Sequence, residues 1–128
     1  MHEVSIALAI VDEITERAAQ AQAAKISAVY LRVGRLTAID ERALQFAWDL
    51  ATSNTPAFNS KLVIDFVPLA IACKQCNAER VIDEGMLPIC PVCGNSSNAI
   101  VRGRELLITA MEVDDGSSSG GSPTEHSA

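Results

Sequence analysis

Apolar residues follow a helical period in two stretches of the chain. The first stretch covers residues 5–21, and its apolar stripe consists of Ile6, Ala7, Ile10, Val11, Ile14 and Ala18. The second stretch follows Asp40, a residue type that often caps a helix N-terminus, and its stripe consists of Ala43, Leu44, Ala47 and Trp48. Both stripes predict amphipathic helices that bury one face. The sequence Ser53-Asn54-Thr55-Pro56 ends the second helix.

Three other stretches have the pattern of β-strands. Residues 28–33 alternate apolar and polar side chains and end at Gly34. Residues 62–67 are mainly apolar and end at Pro68, and residues 106–113 follow later in the chain. Such runs, bounded by Gly or Pro, are typical of strands. The order of elements predicts an α+β fold in which two helices cover one face of a three-stranded sheet.

Composition and charge narrow the classes of partner. The 128 residues are 48% hydrophobic and 20% charged, with a formal net charge of −6, which disfavours nucleic acid and anionic membranes as partners. No apolar run approaches the ~18 residues that span a bilayer. The first residues are acidic and lack the pattern of a signal peptide, so we expect a cytoplasmic protein whose thiols stay reduced.

The four cysteines form two CxxC pairs, Cys73 with Cys76 and Cys90 with Cys93. In a reducing compartment, paired CxxC turns indicate a metal site rather than two disulfides. Each turn directs two sulfurs to one ion, and four thiolates complete the tetrahedral shell of a structural zinc with no position left for water. A rubredoxin-like iron site is an alternative, although this segment has no aromatic residue to shield a redox iron. A redox function would need only one of the two pairs.

The cysteine segment is expected to be an inserted lobe. Residues 1–69 and 103–113 would form a discontinuous α+β domain, and residues 70–102 a zinc-ribbon-like lobe between neighbouring strands. Asn77 and Gly94 follow the two pairs and would ease the backbone around the sulfurs. About thirty residues cannot support a core alone, so zinc would supply folding energy. The Gly- and Ser-rich residues 114–128 predict a flexible tail.

The first three residues offer a second kind of metal site. Methionine is normally retained before a bulky residue, so we expect a free α-amino group on Met1 ahead of His2. That amine, the His2 amide nitrogen and its imidazole can bind one ion in fused rings, with Glu3 completing the set. Nitrogen-rich, square-planar surroundings favour Ni(II) or Cu(II) over zinc. A solvated histidine without function is the alternative that its position leaves open.

Met1-His2-Glu3, the two CxxC pairs and the sequence Gly103-Arg104-Glu105-Leu106 together resemble the HypA/HybF family of hydrogenase maturation nickel chaperones. The resemblance covers residues 1–113. It implies nickel, as transported cargo, at His2 with help from Glu3. It also implies a structural zinc held by Cys73, Cys76, Cys90 and Cys93.

The resemblance further implies a partner GTPase of the HypB kind and delivery of nickel to the large subunit of a [NiFe] hydrogenase, or in some organisms to urease. We expect a monomer or weak homodimer that is not an enzyme, because no catalytic set surrounds His2. Asp40 matches an acidic position found near nickel in some members, but a helix cap is the stronger explanation, because Asp is a preferred capping residue. His126 alone does not make a metal store.

A zinc-ribbon adapter that binds a protein or nucleic acid is the competing interpretation. The lobe carries the cations Lys74, Arg80 and Arg102 against the anions Glu79, Asp83 and Glu84. These charges leave no basic face, which disfavours nucleic acid. A protein-binding adapter would carry no nickel beyond its zinc.

Overall fold

The computed structural model describes residues 2–83, 85–114 and 124–127, the last four by their backbone. In chain order the elements are α1 (His2–Gln20), β1 (Lys25–Gly34), a 3-10 turn (Arg35–Thr37), α2 (Glu41–Ala51), β2 (Lys61–Val67), β3 (Leu69–Cys73), β4 (Ala78–Ile82), β5 (Ile100–Arg102), β6 (Leu106–Asp114) and β7 (Thr124–Ser127). Both predicted helices and all three predicted strands are present. The predicted α+β class is therefore confirmed.

The strands form two sheets, a four-stranded sheet in the order β2-β1-β6-β7 and a three-stranded sheet in the order β4-β3-β5. The first sheet has one strand more than the predicted three. Its additional strand β7 pairs antiparallel with β6, from Ala110 opposite Ser127 to Val113 opposite Thr124. Strand pairing uses backbone N–H and C=O groups, so a segment with few apolar residues can still pair. The flexible tail predicted over 114–128 stays a prediction, because residues 115–123 and 128 lie outside the described residues.

The described chain separates into two compact units. The first contains Met1–Leu31, Ile39–Ile64 and Leu107–Ala128, and the second contains Arg32–Ala38 and Asp65–Leu106. The finer boundaries predicted at 69/70 and 102/103 stay a prediction.

The helices and the sheet of the first unit share one apolar core. Every residue of the two predicted stripes is buried except Ile6 and Ala43, which are partly exposed. Facing strands add Ile26, Ala28, Val29, Leu31, Leu62, Met111 and Val113 to this core. Trp48 is 1% exposed, and its Nε1 donates a hydrogen bond of 2.9 Å to the Ser60 hydroxyl. That bond satisfies a donor that would otherwise be buried without an acceptor.

The second unit is built around β3, whose sequence Leu-Ala-Ile-Ala-Cys is almost entirely buried. β4 pairs antiparallel with it, and β5 pairs on its other side. The buried cluster of this unit consists of Leu69, Ile71, Cys73, Ile82 and Cys90. Two of these five residues are cysteines of the predicted metal site. The core of the unit and its metal site are therefore continuous.

Two glycines bring backbone segments of the second unit into close contact. Gly34 donates its N–H to the Glu105 carbonyl at 2.7 Å, and Leu36 donates its N–H to the Gly103 carbonyl at 2.8 Å. A Cβ atom at Gly34 would lie 2.1 Å from the backbone carbonyl of Gly103. Only glycine fits at position 34, because carbon atoms at that distance overlap.

Candidate metal centre

The two CxxC turns bring four sulfurs together. Cys73 ends β3 and Cys76 follows in the turn toward β4, whereas Cys90 and Cys93 lie between β4 and β5. The four Sγ atoms all lie within 4.8 Å of one another. The Sγ atoms of Cys73 and Cys93 are 3.5 Å apart, and those of Cys76 and Cys90 are 3.8 Å apart. The close sulfur pairs thus join the first CxxC turn to the second.

These distances suit a tetrahedral ion. Thiolates bound at about 2.3 Å from zinc in tetrahedral geometry stand about 3.8 Å from each other. The four sulfurs approach that spacing, and all four cysteines are free thiols rather than disulfides. The donor set fits a metal ion bound entirely by sulfur, as the spacing of the motif predicted.

The backbone after each cysteine pair turns through the left-handed region. Asn77 has φ of 53° and Gly94 has φ of 79°. Both were expected to ease the chain around the sulfurs, and the structure confirms it. Gly94 also donates its N–H to the Cys90 carbonyl at 2.9 Å, which closes the second turn. Glycine adopts this conformation without steric cost, and Asn tolerates it better than most residues.

Backbone N–H donors lower the pKa of two of the thiols, which favours the thiolate form that binds metals. The N–H of Cys93, followed by that of Val92, lowers the pKa of Cys90 to about 6 despite opposing desolvation. The N–H of Asn95 lowers the pKa of Cys93. For Cys73 the largest single effect is a hydrogen bond from the Cys76 N–H, which lowers the pKa. Desolvation and contact with the other three thiols act in the opposite direction and together raise the pKa of Cys73 to about 11.

Arg80, counted above only among the charges of the lobe, interacts with the cysteine cluster. Hydrogen bonds to the Cys76 and Cys90 sulfurs raise the pKa of its guanidinium. Little in the local sequence indicates the orientation of this side chain. Arg80 stands between exposed Glu79 and Val81 in β4, and only the pairing of β4 with β3 shows which face it occupies. Asn95, whose amide donates to the Cys93 sulfur at 3.4 Å, was also not identified from sequence.

The predicted nickel ligands lie in the first turn of α1. His2 is exposed and Glu3 is partly buried, whereas Met1 lies outside the described residues. The Glu3 carboxylate accepts a hydrogen bond of 3.2 Å from the backbone N–H of Asp40. Asp40 in turn caps α2, because its Oδ1 accepts the Ala43 N–H at 2.9 Å. The structure thus brings Glu3 and Asp40 together and gives the Asp40 side chain the capping role.

The fold and the sulfur cluster together define a class: a small α+β protein with a ribbon-like lobe that binds a metal through four cysteines. A family profile described as "Hydrogenase/urease nickel incorporation, metallochaperone, hypA" matches residues 1–113. The chain belongs to this HypA family, as the resemblance indicated. No described helix has the length and apolarity needed to cross a membrane.

Individual relatives agree with the family assignment. A "Hydrogenase maturation factor HypA" from Chloroflexus aggregans is 42% identical over 113 residues, which cover 88% of this chain and 99% of the relative. A factor of the same name from Roseiflexus sp. strain RS-1 is 36% identical over 90% of this chain and 94% of its own length.

Two solved structures share the fold. The Ni metallochaperone HypA from Helicobacter pylori superposes with a TM-score of 0.61 at 20% identity, over 88% of this chain and 97% of the other. A second HypA structure gives a TM-score of 0.58 at 22% identity, over 90% of this chain and 98% of the other.

Proposed function

We propose that this protein binds Ni(II) at its N-terminal residues and delivers it during maturation of a [NiFe] hydrogenase, while a structural zinc holds the cysteine lobe together. The observation that carries the nickel proposal is the position of His2 and Glu3 at the start of α1. The first N–H groups of a helix have no partner within the helix, so their nitrogens are available to a metal. The positive end of the helix dipole favours the negative charge of a deprotonated amide.

The chemistry of this position suits cargo rather than a resident cofactor. His2 is exposed, so its imidazole can bind and release an ion without rearrangement of a core. The Glu3 carboxylate is held by the Asp40 N–H, which keeps it beside the same helix start. Imidazole and amide nitrogens favour Ni(II), and acid should release the metal because protons compete for the same nitrogens.

Zinc at the four cysteines would have a structural role. Four sulfur ligands leave no open position for water or substrate, which is typical of structural zinc. Cys73 and Cys90 are 3% and 1% exposed, so metal binding would be part of core formation. This arrangement supports a shaping role for the lobe and gives no reason to assign catalysis to it.

The proposed partners follow from the family. Its description names hydrogenase and urease nickel incorporation, and the relatives are named as hydrogenase maturation factors. We therefore place this protein in the cytoplasm, as a monomer or weak homodimer. There it would work with a HypB-like GTPase and the hydrogenase large subunit.

Metal analysis and nickel titration test this proposal. The purified protein should contain one zinc per chain and take up one further nickel. Nickel binding should be lost in His2→Ala and in a variant with residues added before Met1. It should persist in His126→Ala, which removes the other of the two histidines in the chain. Unchanged nickel affinity in the first two variants would exclude the terminal site. Absence of any nickel beyond the zinc equivalent would favour the adapter function instead.

A further inference from the structure

The pairing of β4 with β3 directs Arg80 to the buried face of the cysteine lobe. Directly opposed residues of an antiparallel pair point to the same face of the sheet. Arg80 is opposite Ile71, between Ala78 opposite Cys73 and Ile82 opposite Leu69. Ile71, Cys73 and Ile82 all belong to the buried cluster. An arginine therefore occupies a position in β4 whose neighbours on the same face are apolar or metal-binding.

The groups around Arg80 indicate what compensates the positive charge of its guanidinium. Its Nε is inaccessible to solvent and has no hydrogen-bond acceptor among the described residues. Interaction with the sulfurs of Cys76 and Cys90 raises the pKa of its guanidinium. Arg80 takes part in none of the ion pairs among the described residues. Arg102, the other arginine of this sheet, forms an ion pair with Glu79 at 3.0 Å. Arg80 is partly buried, and a cation shielded from water is stabilised by a compensating negative charge, which the nearby thiolate sulfurs would supply.

We propose that Arg80 is a positioning residue of the metal centre, which donates N–H···S hydrogen bonds to Cys76 and Cys90 and offsets negative charge on the metal-bound sulfurs. A divalent ion with four thiolates carries a net charge of −2, and one guanidinium reduces this to −1. The planar group of arginine carries five donors, so it can contact two sulfurs at once. The proposal rests on the proposed metal at the four cysteines.

The expected consequence is a tighter and less reactive metal centre. Hydrogen bonds to a ligand sulfur withdraw electron density from it, and residues outside the ligand set commonly change metal affinity by 10- to 100-fold. Removing the Arg80 charge should therefore weaken zinc binding by ~10-fold. In the Co(II)-substituted protein, it should also move the sulfur-to-cobalt charge-transfer band to lower energy, because electrons leave the sulfurs more easily.

The experiment compares the full-length wild type with Arg80→Gln, Arg80→Lys and Arg102→Gln. Zinc affinity is measured by competition with a chelator, and the cobalt band by absorption spectroscopy. Arg102→Gln is the matched control, since it removes the same charge from the same sheet at an exposed ion pair. The proposal predicts that Arg80→Gln changes both readouts, that Arg80→Lys recovers part of the change, and that Arg102→Gln behaves as wild type.

Each other outcome counts against a specific claim. Wild-type affinity and spectrum in Arg80→Gln would overturn the assignment of Arg80. Equal effects of Arg80→Gln and Arg102→Gln would overturn it too, because the general charge of the lobe would then be the cause. If Arg80→Gln does not fold, Arg80→Lys decides the question. Wild-type-like metal binding in Arg80→Lys supports the need for a cation at this position, whereas loss of metal in Arg80→Lys would overturn the assignment of Arg80. A wild type that binds neither zinc nor cobalt would instead refute the metal centre itself.

Discussion

The two interpretations of Asp40, helix cap or nickel ligand, predict different results for two substitutions. Its Oδ1 accepts one hydrogen bond, 2.9 Å from the Ala43 nitrogen, at the exposed start of α2. Loss of a capping side chain typically costs about 1 kcal/mol, and loss of a carboxylate near a helix N-terminus costs about 0.3–1 kcal/mol. Asp40→Ala removes both and should destabilise the protein by about 1.3–2 kcal/mol. Asp40→Asn keeps the cap and should cost only the carboxylate contribution, about 0.3–1 kcal/mol.

Thermal unfolding followed by circular dichroism would resolve these values. In a protein of this size 1 kcal/mol corresponds to a change in Tm of about 3–6 °C, so Asp40→Ala should unfold several degrees below Asp40→Asn. The hydrogen bond from the Asp40 backbone to Glu3 does not involve the Asp40 side chain, so nickel affinity should be unchanged in both. A stable Asp40→Asn variant with weakened nickel binding would show that the carboxylate contacts the metal. Equal Tm values for Asp40→Ala and wild type would refute the capping argument.

Three further predictions concern the two cores and the thiols. Gly34→Ala should cost about 3 kcal/mol in urea unfolding, because its Cβ would lie 2.1 Å from the Gly103 carbonyl; an unchanged midpoint would contradict this close contact. Ser60→Ala should cost about 2 kcal/mol by leaving the buried Trp48 N–H without an acceptor, and fluorescence of this single tryptophan reports the unfolding. Zinc binding should release fewer than four protons at pH 7 and more at pH 5, because a Cys90 pKa of about 6 makes this group a thiolate before binding only at the higher pH. Calorimetry in buffers of different ionisation enthalpy measures the number of protons released. Equal release at both pH values would refute the lowered pKa.

Sequence patterns predicted the first unit well because its elements are regular and amphipathic. The stripes of α1 and α2 are buried almost as predicted, and Asp40 caps α2 as its residue type suggests. The ends of the elements were less accurate. α1 begins at His2 rather than near residue 5. The prediction started too late because the first turn lacks the apolar spacing that marks the rest of the helix.

The cysteine lobe was predictable as a metal site but not as a sheet. Two CxxC pairs specify that four sulfurs meet, whereas β3, β4 and β5 are only three to five residues long and show little periodicity. The orientation of Arg80 depends on which residue of β3 it faces, and that register is a property of the folded hairpin. β7 was missed because backbone pairing leaves no mark on composition.

In the lobe, two of the five residues in the buried cluster are also proposed metal ligands. An ion that binds the native arrangement and not the unfolded chain adds stability that grows with the logarithm of its free concentration. Each tenfold fall in available zinc would then remove about 1.4 kcal/mol from the lobe. The fraction of lobe that is folded would therefore follow the zinc status of the cell, and starvation for that element would limit how much competent protein is present.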